Sequence, residues 1–215
     1  NQWFHVTAVI NRTAGTLQLL VHNLNGTLIN NTSGAVRATD TVSHTFPLEI
    51  GRTLEVAADY TPFKGAMDDL RIWNTTRTLA QVEGAMFSRL AGNEAGLAGY
   101  WKFDEVSGRA VLDATANANN GSLGGQPAPL PGNVAQFDGV SQYIISPNLR
   151  SFFANESVTL ELWFNPLGPG VLVDELGSTN ISNRLWNDSQ IEVLAGGQVL
   201  IRVWNLAAIN VGTVT

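Results

Sequence analysis

The chain has 215 residues, 44% of them hydrophobic and 14% charged, which suits one large all-β domain or two small domains and excludes a disordered chain. Its 12 Lys and Arg are scattered and outnumbered by 18 Asp and Glu, net −6, so nucleic acid and anionic membrane surfaces are poor partners. No cysteine is present, which removes disulfides, thiolate nucleophiles and cysteine metal sites, and no apolar run approaches the ~18 residues of a membrane span.

Short apolar runs rich in Val, Ile, Leu, Phe and Trp, bounded by Gly, Asn, Pro and Ser, predict strands. In chain order these are Phe4–Asn11, Thr16–Asn23, Thr27–Ile29, Leu48–Ile50, Gly65–Trp73, Ala98–Phe103 and Ala110–Asp113. They continue with Val134–Phe137, Tyr143–Ile145, Val158–Asn165, Val171–Leu176, Gln190–Leu194, Gln198–Trp204 and Ala208–Val214. Turns are predicted at Asn11–Gly15, Asn25–Gly26, Asn120–Gly121, Asp138–Gly139 and Gly196–Gly197, where residues tolerant of positive φ occur. One segment has helical spacing. Leu79, Val82, Met86 and Leu90 line one face of Thr78–Leu90, and Thr78 with Gln81 forms a capping box.

Two strands carry a charge inside an apolar run. In VTLELWF, alternation puts Val158, Leu160, Leu162 and Phe164 on one face and Thr159, Glu161 and Trp163 on the other. That second face is expected to be wet or to meet a partner. VLIRVW repeats the pattern around Arg202, so a Glu161–Arg202 cross-strand pair and two separately solvated charges are the alternatives.

Asparagine points to the compartment. Chance association of 20 Asn with 30 Ser and Thr gives about three N-x-[ST] sequons, whereas the sequence has nine, at Asn11, Asn25, Asn30, Asn31, Asn74, Asn120, Asn155, Asn180 and Asn187. All nine are expected at turns or strand ends, and the overlap of Asn30 with Asn31 crowds out double occupancy. An extracellular, secreted chain bearing covalent N-glycans is the expectation.

Several segments together resemble a known family. Tyr100–Leu123, Val134–Pro147 and Ser157–Pro166 resemble the opening strands of laminin-G-like, concanavalin A-like lectin jelly-roll domains of pentraxin type. Trp3–Ile29 resembles that family's central hairpin, and Phe63–Met86 its closing strand and trailing helix. The resemblance implies an all-β, two-sheet antiparallel jelly-roll sandwich with one short helix.

The order of these segments is shifted. Residues 1–98 read as the closing half of such a sandwich, with the helix at about 78–90 near its end, and residues 99–215 as the opening half. Joining Thr215 to Asn1 restores the family order. Three arrangements satisfy this shift: one period of a tandem array, copies exchanging halves head to tail, or a permuted domain closed on itself. Exchange would complete sheet edges between copies and propagate as a fibre.

Enzyme signatures are weak, and no catalytic residue is assigned. His5, His22 and His44 form no metalloprotease or triad motif. Asp68–Asp69, Asp104–Glu105 and Asp174–Glu175 are neighbours whose side chains point to opposite faces of a strand. ELWFNP lacks the second glutamate of the glycosidase motif found in some concanavalin-like folds, leaving a cross-strand pair such as Glu161 with Glu192 for that chemistry. Asp113–Gly121 offers oxygens of the kind calcium takes, or alternatively Asx turns. The resemblance adds Asp138 and Asp68 as ligands of a structural calcium. Of six Trp, five fall in or directly beside predicted strands and Trp186 lies in a turn, where an exposed ring could stack on a sugar.

The function expected is a structural subunit of a glycosylated extracellular fibre or tandem-repeat array, with copies of itself as head-to-tail partners. The alternative is a carbohydrate- or protein-binding lectin-like module of a larger secreted protein.

Overall fold

A computed structural model describes residues 2–36, 47–53, 61–105, 108–125, 133–149, 157–176, 187–203 and 207–213. The strands are β1 (Phe4–Asn11), β2 (Thr16–Asn23), β3 (Leu28–Ala35), β4 (Leu48–Ile50), β5 (Lys64–Trp73), β6 (Leu97–Trp101), β7 (Ala110–Val111) and β8 (Gly121–Gly124). They continue with β9 (Ala135–Asp138), β10 (Tyr143–Ser146), β11 (Val158–Pro166), β12 (Gly170–Leu176), β13 (Asn187–Val193), β14 (Gln198–Val203) and β15 (Ala207–Thr213). Among the described residues there is one helix, α1 (Leu79–Ala85).

The strands form two sheets, the two-sheet antiparallel jelly-roll sandwich that the sequence implies. Sheet A has seven strands in the order β3-β2-β1-β11-β5-β6, with β9 also pairing β5, and sheet B has eight in the order β15-β14-β13-β12-β4-β10-β8-β7. Every ladder is antiparallel.

Strict alternation builds the core between the sheets. Phe4, Val6, Ala8 and Ile10 of β1, Leu17, Leu19 and Val21 of β2, and Leu160, Leu162 and Phe164 of β11 point inward. Leu48 and Ile50 of β4, Ile191 and Val193 of β13, and Val199 and Ile201 of β14 meet them from sheet B. Each such side chain contributes about 1.5–3 kcal/mol when fully buried, so the central strands hold the sandwich.

The two halves of the sequence interleave within one chain. β11, from residues 99–215, lies between β1 and β5, from residues 1–98, and pairs with both along most of its length. The sheets also approach at both margins. An isolated bridge joins Trp101 at the end of β6 to Asp113, and β15 lies against β3 and β2.

Four local expectations change. The helix keeps the predicted cap, with Thr78 Oγ1 accepting from the Gln81 backbone N–H and Gln81 Oε1 accepting from the Thr78 N–H. It nevertheless stops at Ala85, so Leu90 packs from the chain that follows, against Trp73, Leu97 and Tyr100. β3 continues to Ala35, which places Asn30 and Asn31 inside a strand rather than at a turn. Gly121 opens β8 instead of making a turn with Asn120, and the positive φ falls on Ala118, at 52°. The face bearing Thr159, Glu161 and Trp163 is buried by this chain's own helix and the segment after it.

Candidate functional site

The outer face of sheet B is assembled from residues that alternate with core positions. Glu49 lies between Leu48 and Ile50, and Glu192 between Ile191 and Val193. Register places Asp174 directly opposite Glu49, with Ile145 on the other side of Glu49. Glu192 pairs with Leu200 and with Val171 in the neighbouring strands. Glu49, Asp174 and Glu192 are all buried although they sit on the outward side of the sheet.

Two like charges directly opposite on neighbouring strands repel, and Arg52 offsets this. Its Nη2 donates to Glu49 Oε1 at 2.9 Å. The same guanidinium lies over the Tyr143 ring, 3.1 Å from its centre. Tyr143 is paired with Gly124, and its ring occupies the space that a side chain at 124 would need. Gly51, at φ 86°, turns the chain back so that Arg52 returns toward Glu49, and its N–H donates to the Leu172 carbonyl at 2.8 Å. Leu200 and the three carboxylates are buried, whereas Arg52, Tyr143 and Ile145 are half-buried and give this face a guanidinium donor, a phenol and apolar surface. Such a set suits a ligand rich in hydroxyl or amide groups.

The outer face of sheet A is polar as well, and the helix with the segment after it covers it. Glu161 Oε1 accepts from Trp73 Nε1 and lies 3.8 Å from Arg71 Nη1 and 3.9 Å from Arg77 Nε. Arg71 donates to the carbonyls of Ala85 and Ser88, at 3.0 and 2.6 Å, and Trp163 Nε1 donates to the Met86 carbonyl at 2.9 Å. These bonds fasten the helix and its trailing turn over the sheet. Burial holds His5 well below the usual histidine range, assisted by Arg71 and His22, so it is a neutral core residue. Glu161 and Arg202, one of the two alternatives for these charges being a cross-strand pair, are not on neighbouring strands, because β11 belongs to sheet A and β14 to sheet B. The same separation rules out the Glu161–Glu192 pair as a glycosidase dyad.

The three expected calcium ligands lie apart. Asp113 Oδ1 accepts from the N–H of Tyr100 and Thr115, and its Oδ2 from the Thr115 hydroxyl and from the Asn119 N–H and Nδ2. Those bonds make it a buried Asx-type anchor. Asp138 accepts from the N–H of Val140, Ser141 and Gln142 and from the Ser141 hydroxyl. It is opposite Lys64 on β5, whereas Asp68 is opposite Trp163, about 13 Å further along that strand. Among the described residues no group of three or more His, Asp or Glu side chains is placed to hold a metal ion. These three aspartates do not fit a shared calcium site.

Asp68 belongs to a different cluster. Burial, then the Asp69 carboxylate, pushes its pKa up to about 7, with Asp104 adding to the rise and Arg89 opposing it. Asp69 occupies a bulge at φ 50° and accepts from the Tyr100 hydroxyl.

The sequons differ in placement. Asn25 is exposed in the β2–β3 turn and Asn31 is exposed on β3, while Asn11, Asn30 and Asn74 are half-buried. Asn11 Oδ1 accepts from the Ala14 N–H, and exposed Asn120 accepts from the Asp113 N–H. Asn187 begins β13, whereas Asn155, Asn180, His44 and the expected aromatic platform Trp186 lie outside the described residues. The sequence reading singles out Asp174 beside Glu175 and Glu192 as a partner for Glu161, and misses Glu49, which lies far from Asp174 in the chain.

Residues 1–83 match the laminin G family model of the concanavalin A-like lectin/glucanases superfamily, and the two-sheet jelly-roll agrees with that superfamily. No curated protein and no solved structure matches the chain. The match supports a lectin-like, carbohydrate- or protein-binding module, in a superfamily that also holds glucanases. Among the described residues no helix is long and apolar enough to cross a membrane.

Proposed function

We propose that the chain is a lectin-like binding module of an extracellular protein and that its ligand docks on the outer face of sheet B. The observation that carries this reading is Arg52, half-buried on that face and held between buried Glu49 and the Tyr143 ring. A guanidinium fixed in this way donates hydrogen bonds to sugar oxygens. An oligosaccharide is the ligand class favoured. The family match at residues 1–83 supports the same reading.

Head-to-tail assembly by strand exchange, the arrangement expected from the segment order, has less support. β11 already lies between β1 and β5 of its own chain, so sheet A has no gap there for a neighbour to fill.

A glycan array followed by titration calorimetry tests the binding reading. Arg52→Gln removes the guanidinium from this face, and Glu49→Gln weakens the anchor that holds it. Binding that falls at least about tenfold in either variant, or about 1.4 kcal/mol, with an unchanged far-ultraviolet spectrum, supports it. Equal binding by the wild type and both variants overturns the assignment to this face.

A further inference from the structure

We propose that Asn31, and not the overlapping acceptor Asn30, carries an N-linked oligosaccharide, and that this glycan shields the edge strand of sheet A. The proposal is independent of the binding reading.

The two sequons share residues but face opposite ways. Asn30 pairs with Val21, a core residue, and Asn31 pairs with Leu20 on the other face of β2. Asn30 and Thr32 therefore turn inward, toward the side on which β15 lies, and Asn30 Oδ1 accepts from the Thr32 hydroxyl at 2.7 Å. Asn31 and Ser33 turn outward and are exposed. Asn31 Oδ1 accepts from Gln18 Nε2 at 2.8 Å. That bond uses the carbonyl oxygen and leaves Nδ2 to carry the sugar.

The chemistry needs one co-reactant, an oligosaccharide activated as a lipid-linked pyrophosphate. The Asn31 amide nitrogen forms a bond to the anomeric carbon of the first sugar and loses one proton. The bond from that carbon to the pyrophosphate oxygen breaks, and the lipid pyrophosphate leaves with the electron pair. Transfer acts on the extended chain. The folded sandwich then accommodates an outward glycan at 31, whereas one at 30 would have to fit between the sheets.

β3 has reason to need a shield. It ends sheet A, and its sequence LINNTSGA contains no charge and no proline. Those are the usual devices by which an edge strand avoids pairing with another chain. A hydrated oligosaccharide midway along the strand does the same work by bulk.

The test is glycopeptide mapping of the full chain secreted from a eukaryotic host, with enzymatic release in heavy-oxygen water to mark each formerly occupied Asn. The mark is expected at Asn31 and not at Asn30. A mark at Asn30, or an unmarked Asn31, overturns the proposal, and this readout needs no variant. Ser33→Ala removes only the Asn31 sequon and Thr32→Ala only that of Asn30. S33A is expected to lose the glycan of this strand and T32A to keep it. Light scattering of purified S33A is expected to show mass rising with concentration, beyond that of the glycosylated wild type. Equal masses at every concentration would overturn the shielding role.

Discussion

Trp73 on β5 donates its indole N–H to Glu161 on β11 at 2.8 Å, beneath a helix that Arg71 ties down from the same strand. Burial pushes the Glu161 carboxyl up, while Arg71, the Trp73 bond and Arg77 pull it down. Removing one partner of a buried ion pair strands the other, at about 3–5 kcal/mol. Glu161→Leu is therefore expected to cost about 3 kcal/mol, the lower end of that range, because Arg71, 1% exposed, keeps the Ala85 and Ser88 carbonyls and the Asp69 carboxylate at 3.5 Å, nearer than Glu161 at 3.8 Å. Urea unfolding followed by tryptophan fluorescence measures it. A loss below about 1 kcal/mol would show that the network is not needed for stability.

Asp68 sets a pH dependence of opposite sign to the usual carboxylate. Its folded pKa of about 7 exceeds the ordinary aspartate value of 3.8, so the folded state holds its proton where the unfolded chain has released it. Stability from this group is full below about pH 4 and falls as pH rises to about 7. Asp68→Asn should raise the neutral-pH melting temperature and leave that at pH 4 unchanged. Each pKa unit is worth about 1.4 kcal/mol, and partial contact with water reduces the total to about 1–2 kcal/mol. Thermal scans of both proteins at the two pH values decide it.

Asp138 works in the reverse direction. Desolvation raises its pKa, but the N–H groups of Ser141, Val140 and Gln142 and the Ser141 hydroxyl outweigh that and hold it at about 2. Its contribution is present above about pH 4 and is lost as pH falls toward 2. Asp138→Ala should loosen the β9–β10 turn and cost about 1 kcal/mol at neutral pH. Faster amide hydrogen exchange at Val140 to Gln142 is the local readout.

Gly51 is expected to tolerate no side chain. Its φ is 86°, and an added Cβ would fall on the Phe137 ring. Gly51→Ala combines left-handed strain with a clash inside the core, so a loss above about 2 kcal/mol is expected. Because the same residue aims Arg52 at Glu49, the variant should also weaken any ligand held on sheet B.

Strand positions are legible in this chain because apolar alternation and punctuation by Gly and Asn are local properties. β1, β2 and β4 begin and end where the sequence predicts. Pairing partners are less legible. Glu161 meets Arg71 and Arg77 rather than Arg202 because β11 enters sheet A, a fact of topology that no local pattern carries. β3 is polar enough to read as a loop after Ile29, and only its ladder with β2 keeps it extended to Ala35. On sheet B, the opposition of Glu49 to Asp174 depends on register between strands separated by more than half the chain.

The place of β11 has a kinetic consequence. During synthesis β1, β2 and β3 can pair with their immediate neighbours, whereas β5 and β1 must wait for a strand that is made much later. Closing such distant segments is slow. A nascent chain that stops before the end of β11 at Pro166 exposes two unpaired apolar edges. Arrest at that point should give a sticky, chaperone-bound intermediate, and release of β11 should be the step that commits the chain to its native form.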